Sequence, residues 1–110
     1  MKLSFFLILA LLNCSFLFAG DTLSRASIEV NGNCKMCKSK IEKAALIDGV
    51  KSASWNQKTK ILELEYDEKK VTVNQIQLRI AAVGYDTQLY RANDATYNNL
   101  HKCCKYPRNK

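Results

Sequence analysis

The stretch ASIEVNGNCKMCKSKIEKAALIDG, residues 26–49, changes period once, and that change decides the fold. Ala26, Ile28 and Val30 alternate with polar neighbours, the pattern of a half-buried strand. Asn31, Gly32 and Asn33 break it as a loop. Cys37, Ile41, Ala44 and Ala45 then recur at helical spacing on one face, while Lys35, Lys38, Glu42 and Lys43 lie mostly on the wetter side. Asp48 and Gly49 end that helix.

Working outward, Val50 to Trp55 reads as a second strand, Asn56 to Lys60 as a polar turn, and Leu62 to Tyr66 as a third strand with strict alternation. Thr72 and Gln75 form a capping box, with Val71 and Ile76 placed as its hydrophobic staple. Ile76, Ile80 and Val83 continue the inner stripe of a second helix that Gly84 closes. Tyr85 to Leu89 supplies a short fourth strand. The order predicts an α+β, ferredoxin-like βαββαβ sandwich over residues 25–91, a four-stranded antiparallel sheet with two helices on one face. Trp55 and Tyr66, at strand spacing, are core residues. Residues 92–110 form a tail that holds the only proline, Pro107. In it Tyr97, Leu100, His101 and Cys104 are spaced to share one side of a short helix starting near Asp94.

Upstream the composition differs. Lys2 gives a positive start, Leu3 to Leu12 is almost wholly apolar, and after Asn13-Cys14-Ser15 the apolar run resumes and exits at Ala19-Gly20. That is a secretory signal peptide over residues 1–20, cleaved near its end. A membrane anchor fits less well, since a span wants about 20 apolar residues and Asn13 and Ser15 interrupt this one. Cys14 as a lipid-modified cysteine is the other alternative, but the apolar run continues past it. The expected product is exported, to a periplasm or outside the cell, with no stable membrane insertion.

The chain after cleavage keeps Cys34, Cys37, Cys103 and Cys104. Two cysteines spaced by two residues and two adjacent ones do not staple distant loops; they suit ligands or redox thiols. The formal net charge of +7 comes from scattered lysines and arginines without a basic run or aromatic platform, which argues against nucleic acid. Paired carboxylates, a Ser/His/Asp set and a glycine-rich phosphate loop are all missing, so no enzyme chemistry of those kinds is indicated.

Cys34-Lys35-Met36-Cys37 sits where the loop becomes the first helix. Thiols there can converge on one point, and free backbone N–H groups with the positive end of the helix dipole favour thiolate. Soft sulfur selects soft or borderline ions and not magnesium or calcium. Two thiolates are too few for tetrahedral zinc, so copper(I) leads, with zinc and mercury as alternatives. An open coordination shell lets a partner's thiols enter stepwise. His101, Cys103 and Cys104 form a compact soft-ligand cluster, offering further ligands if the tail folds over the loop. Adjacent cysteines seldom bridge each other, because the ring is strained. Met36 lies near the site as a soft neighbour that could contribute its sulfur, although its place between the cysteines turns it toward solvent, and Lys35, Lys38 and Lys40 read as a solvated helix face.

Val30 to Glu42 with Cys34 and Cys37, then Asp48-Gly49-Val50, Tyr66-Asp67 and Val83-Gly84-Tyr85-Asp86, resemble the heavy-metal-associated domain family. The resemblance implies that Cys34 and Cys37 bind metal and that Tyr85 packs near the site. One departure stands out: the family loop reads Gly-Met-x-Cys-x-x-Cys, whereas Gly32-Asn33-Cys34 is one residue shorter and lacks the inward-tucked methionine. The function expected is that of an exported metallochaperone or scavenger, not an enzyme, passing its ion to a metal-transporting membrane protein. A dithiol oxidoreductase is the main rival, weakened by Pro107 being the only proline, since such enzymes often set a cis-proline opposite the site. A module that serves protein contacts without metal is the third reading.

Overall fold

The structure is a computed structural model that describes residues 22–108. The expected signal segment, and with it Cys14, lies outside the described residues. Three strands, β1 (Ser24–Glu29), β2 (Val50–Trp55) and β3 (Ile61–Tyr66), form one antiparallel sheet with β3 in the middle. The register sets Leu62 between Ile28 and Trp55, and Leu64 between Ala26 and Ala53. Period-two alternation therefore gathers the apolar residues on one face. The other face is polar: Ser27 Oγ donates to Glu63, Ser52 Oγ donates to Glu65, and Arg25 pairs with Glu65.

Helices α1 (Lys35–Ala45) and α2 (Val73–Ala82) cover the apolar face. Cys37, Ile41 and Ala45 of α1 and Ile76 and Ile80 of α2 join Ile28, Trp55, Leu62 and Leu64 in one core. The capping box forms as expected: Gln75 N–H donates to Thr72 Oγ1 at 3.1 Å, and Thr72 N–H donates to Gln75 Oε1 at 2.9 Å. The staple residues Val71 and Ile76 are both buried beside it. Among the described residues no helix is long and apolar enough to cross a membrane.

The fourth strand expected over 85–89 does not form. It is reduced to a single antiparallel bridge between Val30 and Thr87. Side chains take the bonds a ladder would use. Glu29 N–H donates to Gln88 Oε1 at 3.1 Å, and Leu89 N–H donates to Gln77 Oε1 at 3.0 Å. Thr87 N–H donates to the Tyr90 carbonyl, and Tyr90 N–H donates back to Thr87 Oγ1, which turns the chain away from the sheet edge. The sheet is therefore three-stranded, not four-stranded.

Beyond Arg91 the chain returns to the core. Helix α3 spans only Asp94–Asn98, capped by Asn93, whose side chain accepts from Ala95 N–H. A 3₁₀ turn over Lys102–Cys104 follows. Leu100, Cys104 and Tyr106 are buried in the same core as the sheet and helices. Gly84 makes this approach possible twice over. Its φ of +111° is one that side chains rarely adopt, and a Cβ there would stand 2.8 Å from the Leu100 side chain.

Candidate metal centre

Cys34 is the N-cap of α1 and Cys37 its third residue. They form a capping box in sulfur. Cys34 Sγ accepts from Cys37 N–H, and Cys37 Sγ accepts from the N–H groups of Cys34 (3.4 Å) and Asn33 (3.3 Å). The first-turn donors of a helix have no partners within it, so the thiols satisfy what Ser and Glu usually satisfy. The two sulfurs stand 3.5 Å apart. Beneath the loop, Trp55 fills the space: its Nε1–H donates to the Val30 carbonyl at 3.0 Å, and a Cβ at Gly32 would stand 3.0 Å from the indole. Lys60 braces the same loop, donating from Nζ to the Gly32 carbonyl at 2.6 Å while lying over the Trp55 ring.

The tail closes over this loop. Asn33 Nδ2 donates to the Lys105 carbonyl, and Cys104, fully buried, brings its sulfur to 3.7 Å from that of Cys34. The sulfurs of Cys34, Cys37 and Cys104 all lie within 4.8 Å of one another. Cys103 is exposed, with its Sγ 2.6 Å from Cys34 Sγ and 3.9 Å from Cys104 Sγ. All four are free thiols. His101 is exposed and outside the sulfur group.

A polar latch holds the tail in place. Tyr106 Oη donates to the Gly84 carbonyl (2.8 Å) and accepts from Asp86 N–H (2.7 Å), all buried. Arg108 forks onto both carboxylate oxygens of Asp86 at 2.9 and 2.8 Å, reaches Asp94, and lies over the Tyr97 ring. Tyr97 Oη donates to the Tyr106 carbonyl. Burial alone would raise the Asp86 carboxyl pKa. The Arg108 fork and the Ala92 N–H overcome this and hold it below its ordinary value.

The sulfurs differ in charge preference. Burial works against thiolate at Cys34, but hydrogen bonds from Cys103, from the Cys37 backbone and thiol, and from Cys104 outweigh it and lower the pKa to about 6. Cys37 is pushed up to about 11, first by burial and then by its neighbour Cys104. Burial likewise raises Cys104. Tyr85, fully buried, stands beside Cys37 and Cys104; its pKa is raised by burial first and by those sulfurs next. Its hydroxyl is the one buried side-chain polar atom without a hydrogen-bond partner among the described residues.

Sulfur edges of 3.5 and 3.7 Å match the roughly 3.8 Å edge that metal–sulfur bonds of about 2.3 Å impose around a tetrahedral ion. Among the described residues no carboxylate joins the group, which suits a soft ion and not a hard one. Tyr85 Oη, aimed at these sulfurs without an acceptor, is placed to donate to a thiolate. The donor set fits a soft metal.

Of the residues singled out from sequence, Cys34, Cys37, Cys103 and Cys104 come together, with Tyr85 against them. Met36 is 41% exposed. Tyr106 and Arg108, which position Cys104, were not singled out. The available signal was two tyrosines in an otherwise polar tail and an arginine able to answer Asp86.

Fold and site together define a small α+β domain that presents converging thiols for a soft metal. Heavy-metal-associated domains match residues 28–86, more than half the chain, and the chain belongs to that family. The copper chaperone CopZ of Staphylococcus aureus is 39% identical over 66 residues, covering 58% of this chain and 97% of CopZ. A solved CopZ metallochaperone superposes with a TM-score of 0.56 at 39% identity, over 58% of this chain and 98% of its own. The N-terminal domain of the zinc(II) ATPase ZiaA, in its apo form, gives a TM-score of 0.52 at 32% identity, covering 81% of each chain.

Proposed function

We propose that this chain is an exported metallochaperone or scavenger that carries one soft ion, copper(I) foremost, on Cys34, Cys37 and Cys104. The observation that carries this reading is the buried approach of Cys104 to the Cys34/Cys37 loop, with the three sulfurs within 4.8 Å. Three thiolates suit copper(I) as a finished shell and leave zinc one ligand short. The ion is cargo, destined for a metal-transporting membrane protein. Likeness to a copper chaperone and to an ATPase's N-terminal domain supports that destination. Export rests on the composition of residues 1–20.

The test is anaerobic titration of the reduced chain lacking residues 1–20 with copper(I), followed by the thiolate-to-copper charge-transfer band. One equivalent is expected. Cys34→Ser should abolish tight binding and Cys104→Ser should weaken it. If Cys104→Ser binds as the native chain does, the tail is no part of the site. The low pKa of Cys34 favours one rival, dithiol–disulfide exchange. Appreciable turnover in insulin-disulfide reduction would favour that rival over metal carriage.

A further inference from the structure

The four sulfurs form two triangles that share an edge. The inner one is Cys34, Cys37 and Cys104, and the outer one is Cys34, Cys103 and Cys104; Cys104 stands 3.7 and 3.9 Å from the other two sulfurs of the outer triangle, while Cys34 and Cys103, 2.6 Å apart, must separate to about 3.8 Å to share an ion. Cys37 and Cys104 are fully buried, Cys34 is half-buried and Cys103 is exposed. An ion in the inner triangle would rest on two buried sulfurs beside Tyr85 and on half-buried Cys34, the ligand an external thiol reaches most readily. Cys103 stands next to Cys34. Its neighbour Cys104 is held by the latch, so Cys103 is delivered there by one peptide link from a fixed point.

We propose that Cys103 is the exchange thiol of this protein: it draws the ion from the inner triangle to the outer one and presents it to an incoming thiol ligand. This rests on the metal-carrying reading above. In the step, a bond forms between the ion and Cys103 Sγ, whose thiol proton passes to solvent. The bond to Cys37, the deepest sulfur, breaks, and Cys37 regains a proton. Its sulfur stays seated on the N–H groups of Asn33 and Cys34. Cys34 and Cys104 hold the ion throughout, so no electron moves and the ion is never bare. Ligand exchange then needs no opening of the latch.

The experiment loads the reduced chain with one equivalent of copper(I) and follows release to the coloured chelator bathocuproine disulfonate at tens of micromolar, for the native chain, Cys103→Ser, Cys103→Ala and Cys104→Ser. A tethered ligand acts at an effective concentration on the order of millimolar, so losing it should slow release by about tenfold or more. Both Cys103 variants should keep one-to-one loading, an affinity within about threefold of native and the native melting temperature; Cys103 is exposed, so neither should disturb folding. In the loaded native chain, iodoacetamide should label Cys103 first while the other three cysteines are protected. Release at the native rate from both Cys103 variants, loss of affinity as large as that of Cys104→Ser, or equal protection of Cys103 would each overturn the inference while leaving the carrier reading intact. Failure of the native chain to retain copper would sink both.

Discussion

Tyr106→Phe should release the tail from the metal loop while changing one oxygen atom. That hydroxyl answers two buried backbone groups at once, the Gly84 carbonyl and the Asp86 N–H, at 2.8 and 2.7 Å. Leaving a buried polar group unpaired costs about 1–3 kcal/mol. Two of them, sharing a pocket that relaxes in part, put the cost at about 2–4 kcal/mol. The phenyl ring still fills the space between Tyr85 and Tyr97, so the apolar packing contributes little to the difference. If the tail and core unfold together, a domain of this size should melt on the order of 10–20 °C lower. If the tail opens by itself, the Asp86 amide should exchange with solvent about 30- to 700-fold faster, since each 1.4 kcal/mol is a factor of ten. Hydrogen exchange read by NMR, with a thermal melt alongside, separates the two. Copper(I) affinity should fall toward that of Cys104→Ser, because Cys104 reaches the site only through the docked tail. A variant with unchanged melting temperature, unchanged Asp86 protection and native affinity would refute the claim that the latch places the third sulfur.

Asp86→Asn should destabilise the chain at neutral pH, and the difference from native should shrink in acid. The carboxyl pKa is lower folded than unfolded, so its stabilisation is present above the unfolded value near 4 and is lost as pH falls through the folded one; melts from pH 7 to 2 read this directly. Iodoacetamide labelling of the reduced, metal-free chain should titrate near pH 6 at Cys34 and near 11 at Cys37, resolved by peptide mass spectrometry; a common midpoint near 8.5 would contradict the sulfur capping box. Gly32→Ala should cost about 1–3 kcal/mol in a denaturant melt by pressing its methyl on the indole of Trp55, whereas Thr72→Ala should cost about 1 kcal/mol through the lost cap and leave copper binding alone.

The parts of this molecule that sequence made legible are those set by local period and local hydrogen bonding. Leu62 to Tyr66 alternates because it is the central strand, and Thr72 with Gln75 announces its helix because both halves of the box lie within one turn. Tyr85 to Leu89 carries the same alternation and still makes only one bridge. Gln77 claims the segment's own Leu89 N–H and Gln88 claims the N–H of Glu29 on β1, a competition between distant positions that period cannot register. Cys34 and Cys37 were legible as a pair because their spacing is helical. That Cys104 is a third partner depends on Tyr106 and Arg108 meeting Gly84 and Asp86, some twenty residues earlier, and contacts of that separation leave no local pattern.

The shortened loop gains its meaning from the same long-range contacts. A loop without its inward methionine needs another floor and another roof. Trp55 supplies the floor, packed so tightly that Gly32 has no room for a side chain, and Lys60 ties the Gly32 carbonyl down onto it. The tail supplies the roof, with Cys104 buried against Tyr85 and Asn33 bonded to Lys105. Support from below alone would leave two sulfurs open to any passing thiol. Adding the roof brings a third, buried sulfur beside them and leaves Cys103 exposed next to Cys34. Loop shortening and tail docking are then complementary features: the short loop is braced from below by Trp55 and Lys60, and the docked tail sets Cys104 Sγ 3.7 Å from Cys34 Sγ above it.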